Sequence, residues 1–314
     1  MDRRDFLKAA VAAGVGLGLG GRYLPAISGK IPPAGWMPPA FAGESPVPLD
    51  IVAVRNGEPE VMFDRGIAAM GGMGRFVKKG STVAIKPNVS WSSGVEMAGN
   101  TNPALVNRVV RHCREAGAAK VYVVDHTIEF WKSCFSASGI AAAAAEAGAS
   151  LAPAESERYY VRRSGGGRVL RDAQIHEVAL EADVLINIPV LKHHGGAGIT
   201  AGIKNLMGLV WDRRFYHAND LHQCIADFLA FRRPDLNIVD AYRILTRNGP
   251  RSRHPGDVRL AKMQILSTDI VAADVSAARI LGSDPQRYPH IAIAADMGFG
   301  QLDPAKLANR RLSL

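Results

Sequence analysis

The chain has only 3 cysteines in 314 residues, and no two of them make a C-x-x-C pair. Cys113, Cys134 and Cys224 therefore offer no iron–sulfur or structural zinc quartet, and an iron–sulfur cluster is not expected within this chain. Cys113 and Cys224 stand beside apolar residues in helix-like runs and read as buried thiols; one disulfide stays open in an oxidising compartment. No basic stripe with interleaved aromatics is present, so nucleic-acid binding is not expected despite a net charge of +9. Part of that charge lies in two short loops, "YYVRRSGGGRVLR" and "NGPRSRHPGD", which suits a small anionic ligand or a plain solvated surface. There is no internal repeat. The apolar run from about Ala9 to Gly21 is too short and glycine-rich to span a membrane, so no stable span is expected once it is removed.

That run follows Arg3-Arg4 and Phe6-Leu7-Lys8, and the whole segment resembles a twin-arginine export signal. "AFA", Ala40 to Ala42, fits a small-x-small cleavage site. Residues 1–42 are therefore expected to be a signal peptide cleaved after Ala42, and the mature chain to be periplasmic or otherwise extracytoplasmic, exported folded. Removing five basic and two acidic residues leaves a mature charge of +6 on residues 43–314. That length suits a single α/β domain, or two α/β subdomains, with proper cores.

Strand-like and helix-like runs alternate along the mature part. Strands are expected at 50–57, 81–88, 120–126, 183–189, 236–242 and 262–268. Helices are expected at 59–73, 101–117, 140–148, around 198–208 and 219–231, and at 269–282 and 290–300. The second of these carries Asn102 as cap, Pro103 in its first turn and Gly117 after its end. The order predicts an α/β fold: a largely parallel sheet covered by helices on both faces. The polar segment 155–172 reads as an excursion or subdomain boundary, with "SGGG" as its turn.

In such sheets ligands gather beyond the carboxyl ends of strands. Five strand ends here are rich in Lys, His, Asp and Asn: Lys86-Pro87-Asn88, Asp125-His126, Lys192-His193-His194, Asp240 and Thr268-Asp269. Lys86 can bind an anion or snorkel to the surface. Asp125 can orient His126, bind a metal or cap the next helix, and Asp240 has similar alternatives. His222 reads as a metal ligand or a helix histidine. The densest stretch is "INIPVLKHHGGAGITAGIKNLMG", residues 186–208. Lys192 and His194 share one side of an extended chain, and Gly195, Gly196 and Gly198 let backbone approach a ligand. The stretch matches neither GxxxxGK[ST] nor GxGxxG, so it is no familiar nucleotide loop. Lys204 and Asn205 come about two helical turns later; a lysine buried there would have a lowered pKa and act as base or nucleophile.

Together "VAIKPN", "TNPALV", "INIPVLKHH…GIKNLMG", "IVDAYRILTRNGP" and "DIVAADVSAARILG…HIAIAADMGFG" resemble family 362 of the domains of unknown function, over roughly residues 50–300. Members often carry a ferredoxin-like iron–sulfur module, which this chain's cysteines do not supply. The core also has a looser resemblance to the nickel-dependent lactate racemases, which use histidines and lysine around a nickel-pincer cofactor. The expected function is thus a metal- or cofactor-dependent enzyme, redox or isomerising, on a small anionic substrate. Lys204, His194 and Lys192 are the expected catalytic groups. Lys86, Asn88, Asn205, Gly196 and Gly198 are the expected anion contacts, and His193, His222, Asp125 and Asp240 the expected metal ligands. The alternative is a non-catalytic anion-binding or accessory subunit with a redox partner protein.

Overall fold

Strand alternation sorts the side chains of this chain onto two cores. In β2, Thr82–Pro87, Val83 and Ile85 belong to one buried cluster and Ala84 to another. Successive side chains on a strand point to opposite faces, so the two clusters lie on the two faces of one sheet. The computed structural model describes residues 48–314; the expected export signal lies outside them.

The sheet is assembled from β1, Ile51–Arg55, β2, β3, Lys120–Val123, and β4, Ser150–Leu151, followed later in the chain by β7, Val184–Ile188, β10, Leu236–Leu245, β11, Val258–Ser267, and β12, Asn309–Ser313. Their spatial order is β12-β1-β11-β10-β7-β2-β3-β4. All neighbours in that row pair in parallel except at β11, which is antiparallel to both β1 and β10. The fold is mixed α/β with a mostly parallel central sheet. β5, Tyr160–Ser164, and β6, Asp172–His176, form a separate antiparallel pair.

Helix α1, Pro59–Ala69, and α2, Pro103–Glu115, cover one face, with α3, Trp131–Ala137, and α4, Ile140–Glu146, beside them. α2 buries Leu105, Val106, Val109 and Val110 at helical spacing. Each such side chain contributes about 1.5–3 kcal/mol by leaving water. The Asn102 side chain accepts from Ala104 N–H and caps that helix, with Pro103 in its first turn. A short helix, α5, Glu177–Glu181, leads into β7. The other face is covered by α6, Gly202–Asn205, α8, Leu221–Asp227, α9, Ile270–Leu281, and α10, Pro289–Asp296; α7, Arg214–Ala218, precedes α8.

The stretch 186–208 differs from expectation. After Pro189 the chain does not turn but extends again as β8, Val190–His194, parallel to β10. It then folds back through residues 195–197 into β9, Gly198–Thr200, which pairs antiparallel with β8. Ile199 and Thr200 are β-branched and favour the strand, so the helix expected from 198 starts only at Gly202. Asp240 is likewise not at a strand end: β10 runs on to Leu245, and Asp240 lies opposite Val190 inside it.

Candidate functional site

Parallel strands β2, β3 and β7 end on the same edge, and the segments after them enclose a cavity of about 420 Å³. Seven of the residues singled out in the sequence line it: Lys86, Asn88, Asp125, Lys192, His194, Lys204 and Asn205. Arg213, Arg214 and His217 line it too, and carry no signal in the strand pattern. The density of Arg and His in "WDRRFYH", directly after "KNLMGLV", is the sequence feature that marks them. Four cationic side chains, Lys86, Lys192, Lys204 and Arg213, thus face one carboxylate, Asp125, while Arg214 stands exposed at the rim, 3.7 Å from Asp212. A cleft of similar size, about 440 Å³, lies along β12 and α9, but its lining holds no histidine, lysine or carboxylate.

Lys86 is fully buried. Its Nζ pairs with Asp125 Oδ1 at 2.9 Å and donates to Pro87 O (2.5 Å) and Asn205 Oδ1 (3.3 Å). The other carboxylate oxygen of Asp125 accepts Val89 N–H at 2.6 Å. Burial lowers the Lys86 pKa against the pull of Asp125, and raises that of Asp125 against the pull of Lys86. The chain crosses this pair at Gly208, where a Cβ would run into the Asp125 carboxylate and the Lys86 side chain.

Lys192 is held differently, without any carboxylate. Its Nζ donates to Asn88 Oδ1 (2.8 Å) and Gly99 O (2.6 Å). Asn88 Nδ2 donates to Asn205 Oδ1 (2.8 Å), Asn205 Nδ2 to Asn187 Oδ1 (2.8 Å), and Asn187 Nδ2 to Asn237 Oδ1 (3.0 Å). Asn237 Nδ2 then reaches Ser267 O at 3.4 Å. All four asparagines are buried, and the row crosses from β2 through β7 to β10 and β11. Burial drives the Lys192 pKa down to about 7, opposed by Asp125 and helped by Lys204 and Lys86. Burial, with Arg213 and Lys86, lowers Lys204 to about 8.

His194 is half-buried, and burial with the nearby lysines pushes it down to about 3, so the imidazole is neutral. Gly196 N–H (3.1 Å) and Ala197 N–H (3.0 Å) both donate to its Nδ1. The ring proton therefore sits on Nε2, which makes His194 a neutral donor. Arg213 donates to His126 O (2.8 Å) and Thr127 O (2.7 Å), which fixes its guanidinium over the loop after β3.

The expected metal ligands do not assemble. His193 alternates to the side away from Lys192 and His194, and its Nδ1 accepts Gly249 N–H at 3.2 Å. His222 stacks on His290, with their Nδ1 atoms 3.1 Å apart. Asp240 accepts Asn102 N–H (2.8 Å) and Tyr242 N–H (3.1 Å), and burial raises it to about 6. Among the described residues no group of three or more His, Cys, Asp or Glu is placed to hold a metal ion. Gly196 and Gly198 are absent from the cavity wall as well. Gly196 serves the His194 turn, and Gly198 has φ +78° with Tyr288 packed where a Cβ would stand.

The family model "Domain of unknown function (DUF362)" matches residues 83–279, which contain every residue named on the cavity wall. A thylakoid-associated protein of Synechocystis sp. is 30% identical over 244 residues, covering 73% of this chain and 72% of that protein. Among solved structures, a lactate racemase apoprotein from Thermoanaerobacterium thermosaccharolyticum aligns with TM-score 0.47 at 11% identity, over 73% of this chain. A Thermotoga maritima protein aligns with TM-score 0.45 at 10% identity, over 76% of this chain. The chain spans 56% of the first of these structures and 60% of the second. No helix among the described residues is long and apolar enough to cross a membrane.

Proposed function

This chain belongs to the DUF362 family, and on that premise we propose that its cationic cavity is the active site of an enzyme acting on a small anionic substrate. The observation that carries the reading is the charge imbalance: four inward cations and one acid, with Lys192 and Lys204 brought by burial to about 7 and about 8. A bound carboxylate or phosphate neutralises part of the excess and raises the protonated share of these lysines. His194 then donates from Nε2 to a substrate oxygen, and whichever lysine amine is free of its proton serves as base. That set fits an isomerisation or redox step beginning with proton removal next to a carbonyl. Because the four expected metal ligands are dispersed, the reading includes no metal step.

Calorimetric titration of the purified mature chain with acetate, oxalate and inorganic phosphate tests it. Binding is expected to be tightest below pH 7 and to weaken as pH rises past about 7 and then about 8, as Lys192 and Lys204 lose their protons. Proton uptake on binding is read from the dependence of the heat on buffer. No binding, or binding indifferent to pH, would turn the assignment toward an accessory subunit of a periplasmic redox complex.

We propose further that the chain reaches the periplasm through the twin-arginine route, on the strength of Arg3-Arg4, the weakly apolar run and "AFA". Changing both Arg3→Lys and Arg4→Lys is expected to leave uncleaved precursor in the cytoplasm, read by fractionation and N-terminal sequencing. Undiminished export of that variant would refute the route.

A further inference from the structure

We propose that the Lys204 amine forms an imine with the carbonyl carbon of a small 2-oxo acid, so that the cavity takes anions bearing a ketone or aldehyde. The inference rests on the reading of the cavity as an anion-handling active site and names its substrate class.

The three buried lysines of the wall are not equivalent. Lys86 is committed to Asp125, Pro87 O and Asn205. Lys192 is committed to Asn88 and Gly99 O, and leaving its place breaks two hydrogen bonds. Lys204 is 9% exposed, and among the described residues its Nζ meets Met207 Sδ at 3.0 Å and no oxygen. A thioether is a weak acceptor, so a buried ammonium gains little there, whereas the neutral amine is at ease against it. With a pKa of about 8, roughly a tenth of Lys204 is neutral at pH 7. The amine can also move toward a ligand without giving up an oxygen partner.

The surroundings supply what such a step needs. Lys192 and Arg213 are placed to hold a carboxylate, and the Nε2–H of His194 can polarise the neighbouring carbonyl oxygen. The Lys204 nitrogen lone pair forms the new N–C bond, and the carbonyl π pair passes to oxygen. That oxygen then departs as water, taking the two protons of the amine nitrogen, and a C=N bond remains. No oxidant or reductant is required. Once protonated, the imine withdraws electrons from the adjacent carbon and eases loss of a proton or a carboxyl group there.

The experiment treats the mature chain with pyruvate and sodium cyanoborohydride, followed by intact mass and peptide mapping. A single reduced carboxyethyl adduct on Lys204 is expected, saturating with pyruvate and absent from Lys204→Arg, whose fold is checked by circular dichroism. The wild-type map stands alone should that variant fail to fold. An adduct on Lys192, or one scattered over surface lysines, overturns the proposal. If calorimetry shows pyruvate and the carbonyl-free lactate both bound, yet no adduct forms, the imine is wrong and the anion site stands. If neither binds, the reading beneath it falls as well.

Discussion

At about pH 4, Asp274→Ala is expected to lower the free energy of unfolding by about 3 kcal/mol. Asp274 lies on α9 with no exposure, and its two carboxylate oxygens accept Gly202 N–H (2.5 Å) and Ile203 N–H (3.0 Å). These are the first amides of α6, the four-residue helix that ends in Lys204 and Asn205. Alanine removes both acceptors and leaves two buried donors against a void, at about 1–3 kcal/mol each. So short a helix has no internal ladder to fall back on. Lys204 is expected to lose its position with it.

Asp274→Asn keeps an acceptor and the shape, and its cost is expected to be near 1 kcal/mol in acid. The pH dependence separates the two chemistries. Burial raises the Asp274 carboxyl to about 7, against the hydrogen bonds from Ile203 and Gly202. The unfolded carboxyl ionises near 3.9, so its proton is released first from the unfolded chain. The stabilising contribution is therefore complete below about pH 4 and is lost as pH climbs to about 7. The asparagine variant lacks that loss, so the wild type's advantage over it should shrink from about pH 4 upward and reverse by about pH 8 in urea denaturation. A wild-type advantage that grows with pH, or an alanine variant within about 0.5 kcal/mol of wild type at about pH 4, would contradict this account of α6.

Lys192→Met is expected to weaken binding of a small carboxylate by about 30- to 100-fold at pH 6 while leaving the protein folded. A charge-assisted hydrogen bond is worth about 1.5–3 kcal/mol, and each 1.4 kcal/mol is tenfold in affinity. Methionine matches the length of the lysine stem and removes a cation whose burial is itself costly, which offsets the two acceptors left behind on Asn88 and Gly99. Above pH 8 the native Lys192 has lost its proton too, so the two proteins should converge. Arg214→Gln is the contrast: the Arg214 side chain is 98% exposed at the rim, and its removal should change affinity by less than about 3-fold. Equal losses in the two variants would mean that the cavity attracts anions by general field alone.

How much of this was legible in the sequence depended on what each residue's neighbours could reveal. Lys86, Asn88, Asp125, Lys192 and Lys204 follow apolar strands or a glycine turn, and parallel strands must end on one edge, so their meeting could be read from order alone. The alternation rule separated His194 from His193 in principle, because adjacent residues of an extended chain face apart. Asp240 misled because a polar residue directly after Ile238 and Val239 looks like a strand end, whereas β10 continues for five more residues. Arg213 and His217 arrive at the start of and on the short helix α7, whose path is set by tertiary packing. Asn187 and Asn237 carried a readable signal that the strand pattern obscured: an amide inside "VLINIP" or "LNIVD" is buried and must find partners.

Those asparagines have a further consequence. In the row from Ser267 to Lys192 every side-chain carbonyl points toward the ammonium and every NH₂ away from it. Four bond dipoles thus stand head to tail, with their negative end on a cation, as the last turn of a helix would present itself. Such a stack solvates the lysine while contributing no formal charge of its own. An arriving anion has no resident counter-ion to displace there, and meets the full attraction of the site. Turning over any single amide would set donor against donor and acceptor against acceptor, so the polarity of the stack is held by all its members at once.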